Sequence, residues 1–562
     1  MENPHSMKQL FTLTLLCFCL SAFAQNTVGL LSHDQSKAFD GYNLHFPHNQ
    51  GTAYLLNNCG EIVHLWEDTV YKPGNGVIIT DDGELAVLKG KGAASNAYIH
   101  AGGGGELVEI RDWDNNITWS YTVNDSLKRL HHDFDILPNG NALLIVWEKL
   151  TYDQAVAAGR DSTKLTEGEL WPDYIIEVEP NGLTGGTIVW EWHAMDHVIQ
   201  DFDATKANFG VVEDNPELID LNYDTKDGAA DWMHTNSLNY NEDLDQILLS
   251  VPHFDEIWII DHSTTTAQAA GNVGGASGQG GDLIFRWGNP KAFGLGDSSD
   301  QKLFFNHDAH WMDIGLNSSS PSFGKIMVFN NRRGEDYSSV ITIAPTFDTY
   351  EWEYTQQSDN TWFPEDYETE ITHPVAPQNL YSTGLSSAQR LPNGNTLIMG
   401  GRQGYAFELD EDDEIVWEYV NPMLSGNPVA QGTILTISQN LMFRFHRYGV
   451  NFAGFDGRDL STSLGYIELD PDTTFCSLIS GINDIPFKNE ISVYPNPATS
   501  VITLEFSTAL NAKLEIYDIT GRKVYADRWN GNIKQLSVLD WAAGTYSILI
   551  DGLASGKIMI VR

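Results

Sequence analysis

The stretch HHDFDILPNGNALLI at His131–Ile145 has a second version in SSAQRLPNGNTLIM at Ser386–Met399. Both contain LPNGN followed by an apolar run. In Pro-Asn-Gly, proline sets φ for the second residue of the turn, and Asn and Gly tolerate the conformations that follow. Each stretch therefore predicts a tight hairpin between two β-strands.

A second repeat consists of segments that alternate apolar and polar residues and reach a tryptophan. Such segments surround Trp66, Trp119, Trp190, Trp287, Trp352 and Trp417. The alternation is typical of half-buried β-strands, and helical periodicity is almost missing. Six four-stranded units predict an all-β, six-bladed β-propeller over residues 25–480, which closes radially and leaves no long edge. We expect the N-terminus to complete the blade begun near His446.

The pattern changes in the last part of the chain, residues 481–562. Strand-like segments are separated there by the turn sequences PNP, TGR and AGTY, which predict a small separate β-sandwich. The combination YPNP, YDITGRKV and GTY resembles the C-terminal sorting domain of the type IX secretion system of Bacteroidetes. This resemblance implies transport across the outer membrane, the secretion machinery as a partner, and a secreted or cell-surface protein.

The N-terminus and the composition indicate an exported protein. MKQLFTLTLLCFCLSAFAQN has a charged start, an apolar stretch and an Ala-Phe-Ala cleavage site, which predicts a signal peptide over residues 1–24. No segment is long enough to span a membrane. The net charge of −44 argues against nucleic acid as a partner. Cys59 and Cys476 remain after cleavage and are expected either to form a disulfide or to be buried.

Histidines recur at one position of the repeat. When the repeats are aligned on their turns, His132 aligns with Ser386 and with Asn75. His234 and His307 lie at the start of their own units. A single histidine at a strand start is usually structural, but three in register indicate a shared site. We expect them to converge at one mouth of the propeller channel, as residues of a concave ligand site do.

The ordered set HHDFDILPNGN, HTNSLNY, FNHDAHWMD, AQRLPNGNTLI, EIVWEYVNP and MFRFHRY resembles bacterial aryl-sulfate sulfotransferases. The resemblance covers the whole predicted propeller. It implies transfer of a sulfuryl group from an aryl sulfate to a phenol through a sulfated histidine. It implies no nucleotide donor, and we predict no cofactor and no metal.

The resemblance assigns roles to individual residues. His307 matches the histidine that accepts the sulfuryl group, and His132 and His234 match the two assisting histidines. Asn236 matches the asparagine beside the second of these, and lies on the same strand face as His234. Ser386 falls where the family has a small hydroxyl residue.

One departure concerns the family's catalytic arginine, which follows the second assisting histidine. Pro252 and His253 occupy that place here. His253 is therefore a candidate substrate-binding residue. An arginine from another loop is the alternative, and the candidates are Arg332, Arg333 and Arg447.

The chemistry of imidazole agrees with this assignment, because neutral histidine is nucleophilic near pH 7 and can carry a covalent group. Asp133 and Asp308 are interpreted as orienting residues or turn caps. Two other classes of function stay open. One is a metal site made by His132, His234, His307 and an aspartate. The other is a ligand-binding propeller without catalysis.

Overall fold

The structure is a computed structural model that describes residues 26–312, 322–473, 476, 491–518, 522–550 and 553–561. The predicted signal peptide lies outside the described residues. The chain divides into two compact units, residues 1–475 and 476–562. Both consist almost entirely of antiparallel sheets, which confirms the predicted all-β class.

The described part of the first unit contains six sheets of four or five strands. Sheet 1 contains Met442–Gly449, Gly41–Pro47, Ala53–Asn57 and Ile62–Trp66. Sheet 2 contains Lys72–Ile79, Leu85–Gly90, Leu107–Arg111 and Ile117–Thr122. Sheet 3 contains Lys128–Ile136, Ala142–Glu148, Asp173–Pro180 and Gly186–His193.

The other three sheets follow the same antiparallel order. Sheet 4 contains Ser237–Asn241, Gln246–Val251, Glu256–Asp261 and Phe285–Trp287. Sheet 5 contains His307–Trp311, Ile326–Asn330, Ser339–Ile343 and Thr369–Ile371. Sheet 6 contains Ser387–Arg390, Thr396–Gly400, Tyr405–Leu409, Ile415–Val420 and Gly29–His33.

The first strand of each sheet contacts the first strand of the next sheet in the series. The contacts run from sheet 1 to sheet 6, and Ser387–Arg390 of sheet 6 also contacts Met442–Gly449 of sheet 1. As expected, the N-terminal strand Gly41–Pro47 pairs with the C-terminal strand Met442–Gly449, with Leu44 opposite His446. A further N-terminal strand, Gly29–His33, pairs with Ile415–Val420.

The repeated tryptophans connect neighbouring sheets. Five of them lie in the fourth strands of sheets 1, 2, 3, 4 and 6, and all five are buried. Each indole N–H donates to a loop of the following sheet. The pairs are Trp66 with Asp112 O, Trp119 with Gly185 O, Trp190 with Thr264 Oγ1, Trp287 with Pro364 O, and Trp417 with Asn58 O. The repeat therefore supplies both apolar burial and a directional bond at the boundaries that follow sheets 1, 2, 3, 4 and 6.

The sixth tryptophan does not fit the predicted pattern. Trp352 lies in the turn of a small ribbon formed by Phe347–Asp348 and Glu353–Tyr354, with φ of 58°. The fourth strand of sheet 5 is Thr369–Ile371 instead. The prediction of a sheet-forming strand around Trp352 is wrong, because the left-handed turn folds this segment back on itself.

The LPNGN turns form as predicted. Leu137 N–H donates to Asn141 O, Gly140 N–H donates to Leu137 O, and Gly140 has φ of 85°. The second copy repeats these bonds between Leu391, Gly394 and Asn395. Glycine is needed at the positive φ because other side chains are strained there.

Helices contribute little to the described residues. Tyr152–Ala157 and Thr266–Ala269 each begin after a threonine that caps the helix through a capping box with glutamine. In the described part of the chain, no helix is both long and apolar enough to cross a membrane. Cys59 and Cys476 are disulfide-bonded.

The second unit is built on one antiparallel sheet of described strands. They are Ile491–Tyr494, Val501–Asp518, Lys523–Ser537, Gly544–Ile550 and Leu553–Ile560. Its apolar core includes Ile502, Leu514, Ile548 and the buried Trp529. The alternation seen in the sequence corresponds to one buried face of this sheet.

Candidate active site

Four equivalent positions at the beginning of the sheets have left-handed backbone. The φ angles are 100° at Asn75, 53° at His132, 58° at His234 and 97° at Ser386. Such angles cost non-glycine residues roughly 1–3 kcal/mol and persist where the surroundings over-determine them, often at functional sites. The alignment made on the LPNGN turns thus corresponds to a shared backbone geometry.

His132 and His234 lie against each other although they come from different sheets. Their ring centroids are 4.4 Å apart, at an interplanar angle of 71°. His132 is buried, and Nδ1 of His132 lies 2.9 Å from Nδ1 of its neighbour His131. Burial, followed by the charges of His234 and the other nearby histidines, lowers the pKa of His132 well below its usual value. His132 is therefore neutral at pH 7.

His234 is oriented by an aspartate. Oδ2 of Asp231 accepts a hydrogen bond from Nδ1 of His234 at 2.5 Å. Burial alone would raise the pKa of the Asp231 carboxyl, but the charge and hydrogen bond of His234 outweigh burial and lower this pKa to about 2. Among the described residues, no group bonds to Nε2 of His234, so this nitrogen carries a lone pair when Nδ1 holds the proton.

His253 stacks on His234. The rings are 4.8 Å apart and 10° from parallel, and Nδ1 of His253 lies 2.9 Å from the Asp231 carbonyl oxygen. Burial and the charge of His234 lower the pKa of His253 to about 3. The residue at the place of the family arginine is therefore a neutral imidazole.

Both ring nitrogens of His307 are engaged in hydrogen bonds. Asn331 donates through Nδ2 to the carbonyls of Ser382 and Leu385, so its Oδ1 is the acceptor for Nδ1 of His307, at 2.7 Å. Nε2 of His307 accepts from the Leu385 N–H at 3.0 Å. Burial and the charge of His234 lower the pKa of His307 to about 3. Sequence reasoning missed Asn331, which lies directly after the strand Ile326–Asn330.

Two phenylalanines connect the histidines. The Phe443 ring lies 6.3 Å from His132 and 6.4 Å from His307. The Phe305 ring lies 5.8 Å from His307 and 6.3 Å from His234. Together, His132, His234, His253 and His307 form what we call the histidine cluster. The three predicted histidines therefore converge from sheets 3, 4 and 5.

The other two predicted residues are part of the hydrogen-bonded framework. Asn236 is fully buried and donates through Nδ2 to the Asn306 carbonyl at 2.8 Å. Its Oδ1 is buried and has no partner among the described residues. Ser386 Oγ accepts from the Gly401 N–H at 2.9 Å. Asn236 thus binds the backbone of the residue that precedes His307. Ser386 directly follows Leu385, whose N–H donates to His307.

An unpredicted arginine connects the two aspartates of the repeat. Arg444 binds both carboxylate oxygens of Asp133 and reaches Oδ1 of Asp308 through Nε, at 2.9 Å. The same aspartates accept backbone N–H bonds, Asp133 from Leu238 and Asp308 from Ala388. Their interpretation as orienting residues is consistent with these contacts, but the shared guanidinium was not expected.

The arginines considered as replacements for the family arginine have different surroundings. Arg447 is buried against Glu408 and Trp417, and Arg333 pairs with Glu370 at 2.8 Å. Both therefore bind carboxylates outside the histidine cluster. Arg332 lies over the Phe305 ring, 3.9 Å from its centroid, and so borders the cluster.

Within the histidine cluster and its neighbours, one group of residues offers metal-ligand atoms close together. Atoms of Asp231, His234 and His253 all lie within 4.8 Å of one another. This set differs from the predicted alternative of His132, His234, His307 and an aspartate. Two imidazoles and a carboxylate are a donor set that suits zinc.

The comparison with known families identifies the protein's relatives. The arylsulfotransferase (ASST) model matches residues 31–425, and the chain belongs to this family. Membership supports an arylsulfotransferase activity on small molecules. The secretion system C-terminal sorting domain matches residues 492–560. This domain directs export by the type IX secretion system, so the protein is secreted or located at the cell surface.

Similarity to individual proteins is low. No curated protein matches the chain. A protein of unknown function from Bacteroides caccae is 11% identical, with a TM-score of 0.37, over 73% of this chain and 99% of that one. A virginiamycin B lyase from Staphylococcus aureus, solved as an inactive variant with quinupristin, is 10% identical with a TM-score of 0.28, over 63% and 85% of the two chains. These similarities support no conclusion about function.

Proposed function

We propose that the protein is a sulfotransferase that moves a sulfuryl group from an aryl sulfate to a phenol through a sulfohistidine. The six sheets are then six blades of one propeller over residues 25–480, and the histidine cluster lies at one mouth of its channel. Residues 481–562 are the sorting domain, built as a small β-sandwich. The observation that carries the proposal is the convergence of neutral histidines from three sheets around His132 and His234.

The hydrogen bonds favour His234 as the residue that attacks sulfur. The sequence resemblance assigns this role to His307, but both nitrogens of His307 already hold hydrogen bonds. In the neutral form of His234, Asp231 holds the proton on Nδ1, and Nε2 has no hydrogen-bond partner in the described part of the chain. An imidazole held in one tautomer by a carboxylate is the arrangement that activates histidine in catalytic triads.

The reaction proceeds in two balanced halves. Nε2 of His234 forms a bond to sulfur, the sulfur–oxygen bond to the aryl group breaks, and a phenolate leaves. In the second half the acceptor hydroxyl attacks the same sulfur, the nitrogen–sulfur bond breaks, and the aryl sulfate product leaves. The acceptor proton passes to Nε2 of His253, whose Nδ1 faces the Asp231 carbonyl. The negative sulfuryl group beside His253 raises its basicity during this step.

The remaining residues position the substrates. The Phe443 and Phe305 rings border the histidines and offer faces for an aryl ring. Asn331 holds His307, whose contacts with Leu385 keep the loop before Ser386 in place. No cofactor enters either half of this reaction.

The test is transfer from a chromogenic aryl sulfate to a phenol, followed by mass spectrometry of the peptides that contain His234 and His307. We expect sulfuryl mass on the His234 peptide, lost in His234→Ala and retained in His307→Ala. Sulfuryl mass on the His307 peptide would return the nucleophile's role to His307. Donor-dependent stabilisation without transfer or adduct would identify a binding propeller instead.

A further inference from the structure

The bound sulfuryl group requires a cation that the histidine cluster does not provide. A sulfate ester carries a full negative charge, and a buried charge is costly unless it is paired. His132, His253 and His307 are 2%, 7% and 2% exposed, and burial of this degree disfavours a charged imidazole. Arg444, the nearest cation in sequence to Phe443, is occupied by Asp133 and Asp308.

The Arg402 guanidinium has few partners in the protein and is available to bind an anion. Its backbone is held by Ser382 Oγ and by the Ser438 N–H, each bond being 2.7–2.9 Å long. Its side chain makes a single 3.4 Å contact, with Ser438 Oγ. Nε of Arg402 is buried and has no hydrogen-bond partner among the described residues, and no carboxylate there forms an ion pair with this guanidinium.

Arg402 borders the histidine cluster through Gly384 and Leu385. A Cβ atom placed on Gly384 would lie 3.5 Å from Cε1 of Phe305 and 3.8 Å from Nε of Arg402. The next residue, Leu385, donates its N–H to His307. The charge of Arg402 contributes to the lowered pKa of His307, after burial and the charge of His234. The guanidinium is thus close to the cluster and electrostatically coupled to it.

Two more cations lie on the Phe305 ring. The Arg332 guanidinium is 3.9 Å and the Lys226 ammonium 4.9 Å from the ring centroid. The whole chain has a net charge of −44, so two cations over one aromatic ring, with Arg402 close by and only Asp255 acting on both of them, are a local concentration of positive charge. A positive area inside a negative surface concentrates small anions at that place.

We propose that Arg402 binds the sulfuryl oxygens of the donor, and that Arg332 and Lys226 hold the anion at the rim around Phe305. The anion subsite, defined by Arg402, Arg332 and Lys226, takes sulfate monoesters. This assignment rests on the proposed function for the identity of the anion. It makes Arg402 a catalytic residue, because its guanidinium touches the group that is transferred.

The direct experiment measures binding and turnover in Arg402→Gln. Inorganic sulfate and a chromogenic aryl sulfate are titrated into the full chain by calorimetry, and kcat/KM is measured with the aryl sulfate. We expect sulfate affinity to fall at least about tenfold and kcat/KM to fall on the order of 10²-fold, the usual effect of losing one transition-state donor. Unchanged affinity together with unchanged kcat/KM overturns the assignment.

Two variants make the result specific. Arg333→Gln is the matched control. Arg333 follows Arg332 in the chain and is already paired with Glu370, so we expect sulfate affinity and kcat/KM to stay unchanged in this variant. Arg402→Lys keeps the charge without the planar donors and should retain part of the sulfate affinity. If Arg402→Gln does not fold, a normal sulfate affinity and kcat/KM in Arg402→Lys still overturn the inference, and reduced values support it.

The binding measurement separates this inference from the proposed reaction. His234→Ala cannot form the adduct, and we expect Arg402→Gln to lower sulfate affinity in this background as it does in the unmodified protein. If no variant or substrate gives transfer but sulfate binding still depends on Arg402, the anion subsite stands and the proposed function fails. If transfer proceeds through His234 and Arg402→Gln changes nothing, the proposed function stands and the subsite fails.

Discussion

Asp231 and His234 form a hydrogen-bonded pair in which Oδ2 of the aspartate lies 2.5 Å from Nδ1 of the histidine. The two residues are only three positions apart in the chain, and His253 stacks on the same imidazole. In the proposed reaction, this pair determines that Nε2 of His234 is the nitrogen that attacks sulfur. Asp231→Asn should therefore lower kcat on the order of 10³-fold or more, because an amide no longer enforces the tautomer. A kcat within a few-fold of the unmodified enzyme would contradict the role given to Asp231.

Gly103 lies against the imidazole of His132. A Cβ atom at Gly103 would be 2.1 Å from Nε2 of His132, and φ of this glycine is 75°. Gly103→Ala should displace the ring and lower kcat/KM on the order of 10²-fold, as misplaced catalytic groups do. Gly102→Ala is the matched control, since a Cβ at Gly102 meets nothing within 4 Å. Equal kinetics in the two variants would show that the His132 position does not matter.

Arg444 neutralises two buried carboxylates at once. Arg444→Met leaves Asp133 and Asp308 without their cation and should reduce the free energy of unfolding by about 3–5 kcal/mol. Urea unfolding at pH 7 measures this loss. Adding Asp133→Asn and Asp308→Asn to the same variant should recover part of the stability, because the unpaired charges disappear. A triple variant less stable than the single one would argue against charge as the cause.

His262 provides a pH-dependent connection between sheets 3 and 4. Nδ1 lies 2.7 Å from Asp245 and Nε2 lies 3.2 Å from Glu177. Burial opposes protonation, but the hydrogen bonds and charges of these carboxylates outweigh it and raise the pKa of His262 to about 9, from 6.5.

Because the pKa is raised in the folded state, the stabilisation is complete below pH 6.5 and is lost as pH rises to about 9. The free energy of unfolding should fall across this window by at most about 1.4 kcal/mol for each pH unit. His262→Gln should remove this slope. If the free energies of unfolding of the unmodified protein and of His262→Gln differ by a constant amount from pH 6.5 to 9, this would be evidence against the ion pairs.

Zinc should inhibit the enzyme. Asp231, His234 and His253 offer ligand atoms within 4.8 Å of one another, and a bound Zn²⁺ would occupy the imidazole that we propose attacks sulfur. We expect inhibition by Zn²⁺ that is reversed by a chelator. Mg²⁺ is the control, because it prefers oxygen ligands. Loss of activity on treatment with the chelator alone would favour a metal-dependent enzyme.

Much of the fold could be predicted because its signals are local. Proline, asparagine and glycine determine the LPNGN turns over four residues, and alternation with period two determines which strand face is buried. The tryptophan repeat predicted the strands correctly except at Trp352, where a left-handed residue turns the chain back. Alternation alone does not distinguish a ribbon of two strands from the outer strand of a larger sheet.

The sequence by itself determined the all-β class, the turns and the recurrence of histidine at one register of the repeat. Only the tertiary structure decided what each imidazole binds. Asp133 and Arg444 are 311 residues apart, and His307 and the Leu385 amide are 78 apart, yet both pairs are in contact. Such contacts depend on how separate sheets pack, and packing brings together side chains whose spacing along the chain carries no common pattern. Asn331, Arg402 and Arg444 were therefore visible only after the strands had been placed in space.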